Sequence, residues 1–262
     1  MKLLDGREAA AFIKQRQQRQ FRAFQPTPRL AIVRQGATPA TDMYLRVKQR
    51  YGADIGVPVD LYTETPANLL HRIEQLGADP AVTGINVELP LADAPELTDQ
   101  ALQAVPLPKD VEGLAAGSQF EVVTPKAVLW LLAAYNVTIA GRIVVVGQGK
   151  LVGQPLADRL EASGHHVIRA DRDTADLPTV ISTADIVITA TGVPALITAD
   201  MLKPGAVVVD AGAPEAELAP DVLTRSDLTI TPNPGGVGPM TVAALFDNLL
   251  QAASALDEHK HK

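Results

Sequence analysis

The segment Arg142-Ile-Val-Val-Val-Gly-Gln-Gly-Lys-Leu-Val-Gly153 decides the fold of the second half of the chain. Its apolar run from Arg142 to Val146 predicts a strand covered on both faces, and the residues from Val152 to Ser163 predict a helix. Glycines between a strand and a helix allow a tight turn whose backbone N–H groups can approach a pyrophosphate. The spacing is one residue longer than the usual fingerprint, so the loop alone also fits a plain strand-to-helix turn.

Three apolar runs downstream continue this pattern and indicate a wound parallel sheet, which is typical of a Rossmann-type dinucleotide-binding domain. They are His166–Ala170, Asp185–Ala190 and Ala206–Asp210. Asp171 follows the second strand, where a carboxylate can bind the adenosine ribose 2′-hydroxyl and repel a 2′-phosphate. Arg172 could instead attract that phosphate, and a solvated loop acid is the alternative for Asp171. The turn containing Thr191 and Gly192 is predicted to line the nicotinamide side.

The first half of the chain also alternates strands with helices, which predicts a second α/β layer with a mainly parallel sheet. The predicted strands are Arg29–Arg34, Val57–Tyr62 and Val82–Leu89, and the predicted helices between them are Met43–Ile55 and Asn68–Leu76. A helix is also predicted for Thr241–Leu256, near the end of the chain.

Composition limits the possible functions. The chain has 262 residues, is 47% hydrophobic and carries a net charge of −7, so no basic field attracts nucleic acid or an anionic membrane. Without cysteine it has no disulfide, thiolate zinc site or cysteine nucleophile. The charged start and the lack of any apolar run of about 18 residues predict a soluble, cytoplasmic protein. No metal site is expected.

Several stretches together resemble the bifunctional methylenetetrahydrofolate dehydrogenase/cyclohydrolase (FolD-type) family, in family order over nearly the whole chain. They are Thr38-Pro-Ala-Thr-Asp-Met-Tyr-Leu-Arg-Val-Lys48, Gly84-Ile-Asn-Val-Glu-Leu-Pro-Leu91, Pro108-Lys-Asp-Val-Glu-Gly113, Gly147 to Pro155, and Pro232-Asn-Pro-Gly-Gly-Val-Gly-Pro-Met-Thr241. The resemblance implies an N-terminal α/β catalytic domain, residues 1–122 and 241–262, and a Rossmann-type domain, residues 123–240. The C-terminal helix would return to the first domain, and folate would lie between the two.

The resemblance also assigns the chemistry. Tyr44 matches the tyrosine that stacks on the folate rings, and Lys48 matches the catalytic lysine that handles protons and activates water. Tyr44 and Lys48 are four residues apart, so one helix face carries both. The expected catalytic residues are Lys48, Tyr44, Glu88 and Glu112. The expected substrate-binding residues are Tyr44, Glu112, Asp110 and Pro239. The expected cofactor-binding residues are Gly147, Gln148, Gly149, Gly153, Asp171, Arg172, Thr191, Gly192 and Ala213.

Departures from the family pattern sharpen these expectations. Glu88 replaces the usual glutamine, so its carboxylate should face Lys48, raise the pKa of that lysine and weaken hydrolysis. Glu112 replaces the aspartate that binds the pterin edge, while Asp110 remains. In the glycine loop, Gln148-Gly149 replaces Arg-Ser and removes a cation suited to a 2′-phosphate. The cofactor is expected to be NAD or NADP, with NAD favoured by Asp171.

The resemblance therefore implies oxidation of 5,10-methylenetetrahydrofolate to the methenyl compound with NAD(P)+, followed by hydrolysis to 10-formyltetrahydrofolate. The expected partners are one-carbon tetrahydrofolate derivatives and, as is usual in the family, a second copy in a homodimer. Two alternatives stay open. One is an NAD-dependent dehydrogenase of another small substrate on the same scaffold, and the other is a folate- or nucleotide-binding protein without catalysis.

Overall fold

The computed structural model describes residues 1–36 and 39–260, apart from the side chains of residues 39, 40, 259 and 260. Thr38, the first residue of the first family-like stretch, lies outside the described residues. The elements in chain order are β1 (Lys2–Leu3), α1 (Gly6–Phe21), β2 (Leu30–Gln35), α2 (Pro39–Ile55), β3 (Val59–Glu64), α3 (Pro66–Ala78), β4 (Gly84–Val87), α4 (Thr98–Ala104), α5 (Val123–Ala134), β5 (Ile143–Val146), α6 (Gly153–Ala162), β6 (Val167–Ala170), α7 (Leu177–Ser182), β7 (Ile186–Thr189), β8 (Val207–Asp210), β9 (Thr229–Ile230) and α8 (Val237–Lys260).

The chain packs as two compact units. The large-sheet unit consists of Met1–Ala10 and Thr124–Thr241, and the small-sheet unit consists of Ala11–Val123 and Val242–Lys262. Most of α8 therefore belongs to the small-sheet unit. The first ten residues differ from the expected boundary, which placed them in the first domain, because β1 pairs with β9 in the large sheet.

The small sheet has the strand order β3-β2-β4, and both pairings are parallel. Its middle strand, β2, is buried from Leu30 to Val33, as expected of a strand with neighbours on both sides. On α3, Leu69, Ile73 and Leu76 share one face and pack in the core that includes this sheet. Because the strands are parallel, the residues that follow β2, β3 and β4 leave the same edge of the sheet.

The large sheet has the strand order β1-β9-β8-β7-β5-β6, with every pairing parallel. Strands β5, β7 and β8 are apolar up to the last residue of β7 and β8 and are almost entirely buried, as expected of parallel strands covered on both faces. Their carboxyl ends lead into the loops that start at Gly147, Ala190 and Ala211, which therefore leave one edge. Among the described residues, no helix is both long and apolar enough to cross a bilayer.

Candidate active site

A lysine and two carboxylates meet inside the small-sheet unit. The Nζ atom of Lys48, on α2, lies 2.7 Å from Oε2 of Glu88 and 3.6 Å from Oε1 of Glu112. The same Nζ donates a hydrogen bond of 2.8 Å to Oδ1 of Asn86. The structure thus brings together three of the residues expected from the sequence, and it adds Asn86, which was not expected.

The backbone around this cluster is fixed by hydrogen bonds. Asn86 lies on β4, and the N–H of Glu88 extends the sheet by donating to the carbonyl oxygen of Val33 at 2.8 Å. The loop carrying Glu112 is held by Asn248 of α8, whose side-chain amide donates to the carbonyl oxygens of Val111 and Glu121. Asn248 is fully buried, so the C-terminal helix supports the loop that carries Glu112 from within the unit.

The charges in the cluster favour the ammonium form of Lys48. Burial alone would lower the pKa of Lys48, but the carboxylates of Glu112 and Glu88 outweigh it and raise that pKa above its ordinary value. Burial raises the pKa of Glu112; Lys48 opposes this change, while Glu88 and Asp110 add to it. The expected contact between Glu88 and Lys48 is therefore present, with the expected direction of the lysine pKa.

Tyr44 and Asp110 lie in the same unit. Tyr44 is half-buried one helical turn before Lys48, and burial, followed by the charge of Glu88, raises the pKa of its hydroxyl. Asp110 is buried, and its Oδ2 accepts a hydrogen bond of 2.9 Å from the N–H of Ala115. That bond gives Asp110 a structural role in the loop that carries Glu112.

The glycine loop of the large-sheet unit is shaped by close backbone contacts. Gly147 has φ +93°, and a Cβ atom there would overlap the carbonyl oxygen of Ala190. A Cβ atom at Gly153, the first residue of α6, would overlap the carbonyl oxygen of Gly147. Beside Gly149 there is open space within 4 Å. A tight turn, close packing at the helix start and an open approach are what a dinucleotide pyrophosphate requires, so these residues fit that group.

The neighbouring polar residues bear on the choice of cofactor. The side-chain nitrogen of Gln148 donates to the carbonyl oxygens of Val145 and Gly147 at 3.0 and 3.1 Å. Because both partners are acceptors, the amide orientation is fixed, and Oε1 of Gln148 is left buried without a partner among the described residues. Asp171 is exposed, and its Oδ1 accepts hydrogen bonds from the N–H of Asp173 and the hydroxyl of Thr174. Arg172 is also exposed.

The turn after β7 is held by a residue that the sequence did not suggest. Oε1 of Glu217 accepts hydrogen bonds of 2.7 Å from the N–H groups of both Thr191 and Gly192. A glutamate in the stretch Pro214-Glu-Ala-Glu-Leu-Ala-Pro220 carries no sequence signal of burial. Of the other expected residues, Ala213 is exposed just before a cis proline, and Pro239 is partly exposed in the first turn of α8.

Comparison with known proteins identifies the family. Residues 4–112 match the sequence model described as "Tetrahydrofolate dehydrogenase/cyclohydrolase, catalytic domain", and residues 122–257 match the "NAD(P)-binding domain" of the same family. The chain belongs to the tetrahydrofolate dehydrogenase/cyclohydrolase family. This result confirms the family, the α/β two-domain fold and the enzyme class that were expected from the sequence.

Individual relatives agree with this assignment over nearly their whole length. The bifunctional protein FolD of Exiguobacterium sibiricum is 40% identical over 248 residues, which cover 86% of this chain and 88% of the relative. The crystal structure of the FolD enzyme from Campylobacter jejuni superposes with a TM-score of 0.89 at 31% identity, covering 98% of this chain and 99% of that one. The Trypanosoma brucei enzyme, solved with NADP and an inhibitor, has a TM-score of 0.88 at 27% identity and covers 97% and 98%.

Proposed function

We propose that the protein oxidises 5,10-methylenetetrahydrofolate to 5,10-methenyltetrahydrofolate with a nicotinamide dinucleotide and hydrolyses the product to 10-formyltetrahydrofolate. The observation that carries this proposal is the contact of Lys48 with Asn86, Glu88 and Glu112, in a chain that belongs to the dehydrogenase/cyclohydrolase family. A lysine held among carboxylates at the edge of a parallel sheet provides a group that can transfer protons.

The proposed roles of the small-sheet residues follow from their positions. Tyr44, half-buried on the same helix as Lys48, offers a ring on which the pterin can stack. Glu112 has the acceptors that the amino-pyrimidinone edge of the pterin needs. Asp110 supports the same loop through the N–H of Ala115.

The dinucleotide would be held by the large-sheet unit. Gly147, Gly149 and Gly153 would accept its pyrophosphate against the start of α6, and the turn at Thr191 and Gly192 would face its nicotinamide side. When bound, the nicotinamide ring supplies the acceptor for the hydride that the oxidation releases. The chain's own contribution to that step is to orient and shield the reactants.

Hydrolysis is proposed to be the weaker of the two activities. Lys48 must accept a proton from water, and only its neutral amine can do so. The carboxylates of Glu112 and Glu88 raise the pKa of Lys48, so the neutral amine is scarce near pH 7. The ion pair of 2.7 Å with Glu88 therefore restrains the step in which water is activated.

NAD is the proposed cofactor. The exposed carboxylate of Asp171 follows β6, where it can accept a hydrogen bond from the ribose 2′-hydroxyl and repel a 2′-phosphate. Gln148 offers no cation, and its amide nitrogen is already used by two backbone carbonyls. The relative from Trypanosoma brucei was solved with NADP, so this preference would separate the chain from that enzyme.

An absorbance assay tests the proposal directly. Methylenetetrahydrofolate is supplied with NAD+ or NADP+ in separate reactions, and the reduced dinucleotide and methenyl-folate are followed together. Methenyl-folate is then supplied alone to measure hydrolysis. Turnover with at least one dinucleotide is expected. Binding of folate or dinucleotide without turnover would indicate a binding protein, and turnover only with other small hydroxy or carbonyl compounds would indicate a different dehydrogenase.

A further inference from the structure

A fully buried carboxylate, Glu217, lies in the loop that follows β8 in the large-sheet unit. An ionised carboxylate offers only acceptors, and leaving them unsatisfied inside a protein is costly. The donors that surround Glu217 come from one short segment at the end of β7.

The carboxylate binds the segment through both of its oxygens. Oε1 accepts the N–H groups of Thr191 and Gly192, each at 2.7 Å. Oε2 accepts the hydroxyl of Thr191 at 2.7 Å and the hydroxyl of Thr189. Four donors from three nearby residues converge on one charge, and charge-assisted hydrogen bonds are the strong ones. The turn after β7 is therefore tied to Glu217 at its backbone and at its side chains.

Glu217 is itself fixed in place by a second buried acid, Asp210. Oδ2 of Asp210 accepts the N–H of Glu217 at 2.9 Å, and its Oδ1 accepts the N–H of Gly212 at 2.8 Å. The carbonyl oxygen of Glu217 accepts the N–H of Ile197 at 3.0 Å. Hydrogen bonds therefore connect the end of β8 to Glu217, and Glu217 to the turn after β7.

The position of this turn affects the glycine loop. The carbonyl oxygen of Ala190, the residue before Thr191, lies so close to Gly147 that a Cβ atom would overlap it. A shift of the turn by a fraction of an ångström would therefore move the first glycine of the loop. Both segments leave the sheet edge at which wound parallel sheets bind their ligands.

We propose that Glu217 is a positioning residue for the dinucleotide: it sets the turn at Thr191 and Gly192, and through Ala190 the glycine loop. This inference rests on the proposed function, because it assumes that the large-sheet unit binds a dinucleotide. The charge and the two acceptor oxygens are the features of Glu217 that matter.

Two substitutions separate these features. Glu217→Gln keeps a carbonyl oxygen for the two backbone N–H groups and turns its amide towards the threonine hydroxyls, which can accept a hydrogen bond. Glu217→Leu removes every acceptor at similar volume. Glu215→Gln is the matched control, since Glu215 is exposed two residues away in the same loop.

The first measurement needs no cofactor. Amide hydrogen exchange of the peptide covering residues 189–193 should be slow in the parent and in Glu215→Gln, and about tenfold or more faster in Glu217→Leu, because exchange reports local opening. Unchanged exchange in Glu217→Leu would show that Glu217 does not hold the turn in place, whatever the protein's function. Should Glu217→Leu fail to fold, Glu217→Gln decides, since weakening its charged hydrogen bonds to neutral ones should still speed exchange about threefold.

The second measurement is the Kd for NAD+ by calorimetry, with methenyl-folate hydrolysis as a reaction that uses no dinucleotide. We expect Glu217→Gln to weaken binding about threefold and Glu217→Leu about tenfold or more, with hydrolysis unchanged. Parent-like binding in a variant with fast exchange would overturn the positioning role. If the parent binds neither NAD+ nor NADP+, the proposed function is wrong. The exchange result would still show that Glu217 holds the turn in place.

Discussion

The two candidate ligand sites are built from different parts of the chain. The site at Lys48 is made of side chains, with one ammonium among two carboxylates and an amide. The glycine loop of the large-sheet unit is made of backbone, and its features are a positive φ, two positions without room for a Cβ atom and one open position. A side-chain site is therefore sensitive to a change of charge, and a backbone site to a change of side-chain volume.

The largest effect is expected for Lys48→Met. Methionine keeps an apolar stem of similar length and removes the ammonium, so methenyl-folate hydrolysis should fall about 10²- to 10⁴-fold. Dinucleotide binding should remain, because the glycine loop belongs to the other unit. The variant is compared with the parent by initial rates and by NAD+ calorimetry.

Lys14→Met is the matched control, since Lys14 on α1 forms an exposed ion pair of 2.7 Å with Asp54 on α2. It should behave as the parent in both assays, because exposed ion pairs contribute little. Parent-like hydrolysis in Lys48→Met would remove the lysine from the mechanism and leave its buried ion pair as a structural feature only.

A volume change at the glycine loop is expected to have the next largest effect. In Gly153→Ala the new methyl group would overlap the carbonyl oxygen of Gly147. Overpacking of this kind costs roughly 1–3 kcal/mol, which lowers Tm by several degrees in a chain of this size. Dinucleotide binding should weaken about tenfold or more, because the loop can no longer close as it does here.

Gly149→Ala sharpens that test, because a Cβ atom at Gly149 would enter open space. The Tm of Gly149→Ala should match that of the parent. Its NAD+ binding should weaken, because the new methyl group occupies space that the pyrophosphate needs. Thermal unfolding and calorimetry on both variants separate a glycine needed for folding from one needed for the ligand. Equal loss of Tm in the two variants would contradict this division.

The inner strands of the large sheet were predictable because long apolar runs have few other stable arrangements. The two-residue strands β1 and β9 were not, since so short a segment carries no periodicity, and β1 depends on a partner far along the chain. Helix α8 begins at Val237 rather than at the expected Thr241. Gly238 and Pro239 look like helix breakers, yet proline fits the first turn, where its missing N–H costs nothing.

The functional residues, too, could be predicted from the sequence only in part. Lys48, Glu88 and Glu112 could be selected because their motifs resemble a known family, and the structure places them in contact. Asn86 and Glu217 could not be selected. Their roles depend on burial and on partners brought close only by the fold, although Asn86 lies within the family-like stretch Gly84–Leu91.

A moderate effect in the opposite direction is expected for Glu88→Gln. Glu88 is one of two carboxylates that raise the pKa of Lys48, so its neutralisation should lower that pKa. At a given pH below the pKa, more of the lysine is then neutral and able to accept a proton. Hydrolysis near pH 8 should rise several-fold, and the limb of its pH profile that rises as Lys48 loses its proton should move to lower pH. NADH formation should change little.

Glu64→Gln provides the control for this experiment, because Glu64 ends β3, another strand of the same sheet, and pairs with Arg72 instead. It should leave both rates and the pH profile unchanged. If Glu88→Gln leaves hydrolysis unchanged or lowers it, Glu88 does not restrain Lys48, and the carboxylate must support the site in another way.

The smallest effect is expected for the choice of cofactor, because Asp171 is exposed and water screens its charge. We expect the parent to show a kcat/KM for NAD+ several-fold above that for NADP+. In Asp171→Asn this ratio should fall about threefold, since the amide no longer repels a 2′-phosphate. The asparagine keeps an Oδ1 acceptor for the N–H of Asp173 and the hydroxyl of Thr174, so the turn itself should survive.

Asp173→Asn makes the same charge change two residues away and should leave the ratio near that of the parent. Equal or better use of NADP+ by the parent would show that Arg172, next to Asp171, decides the preference instead.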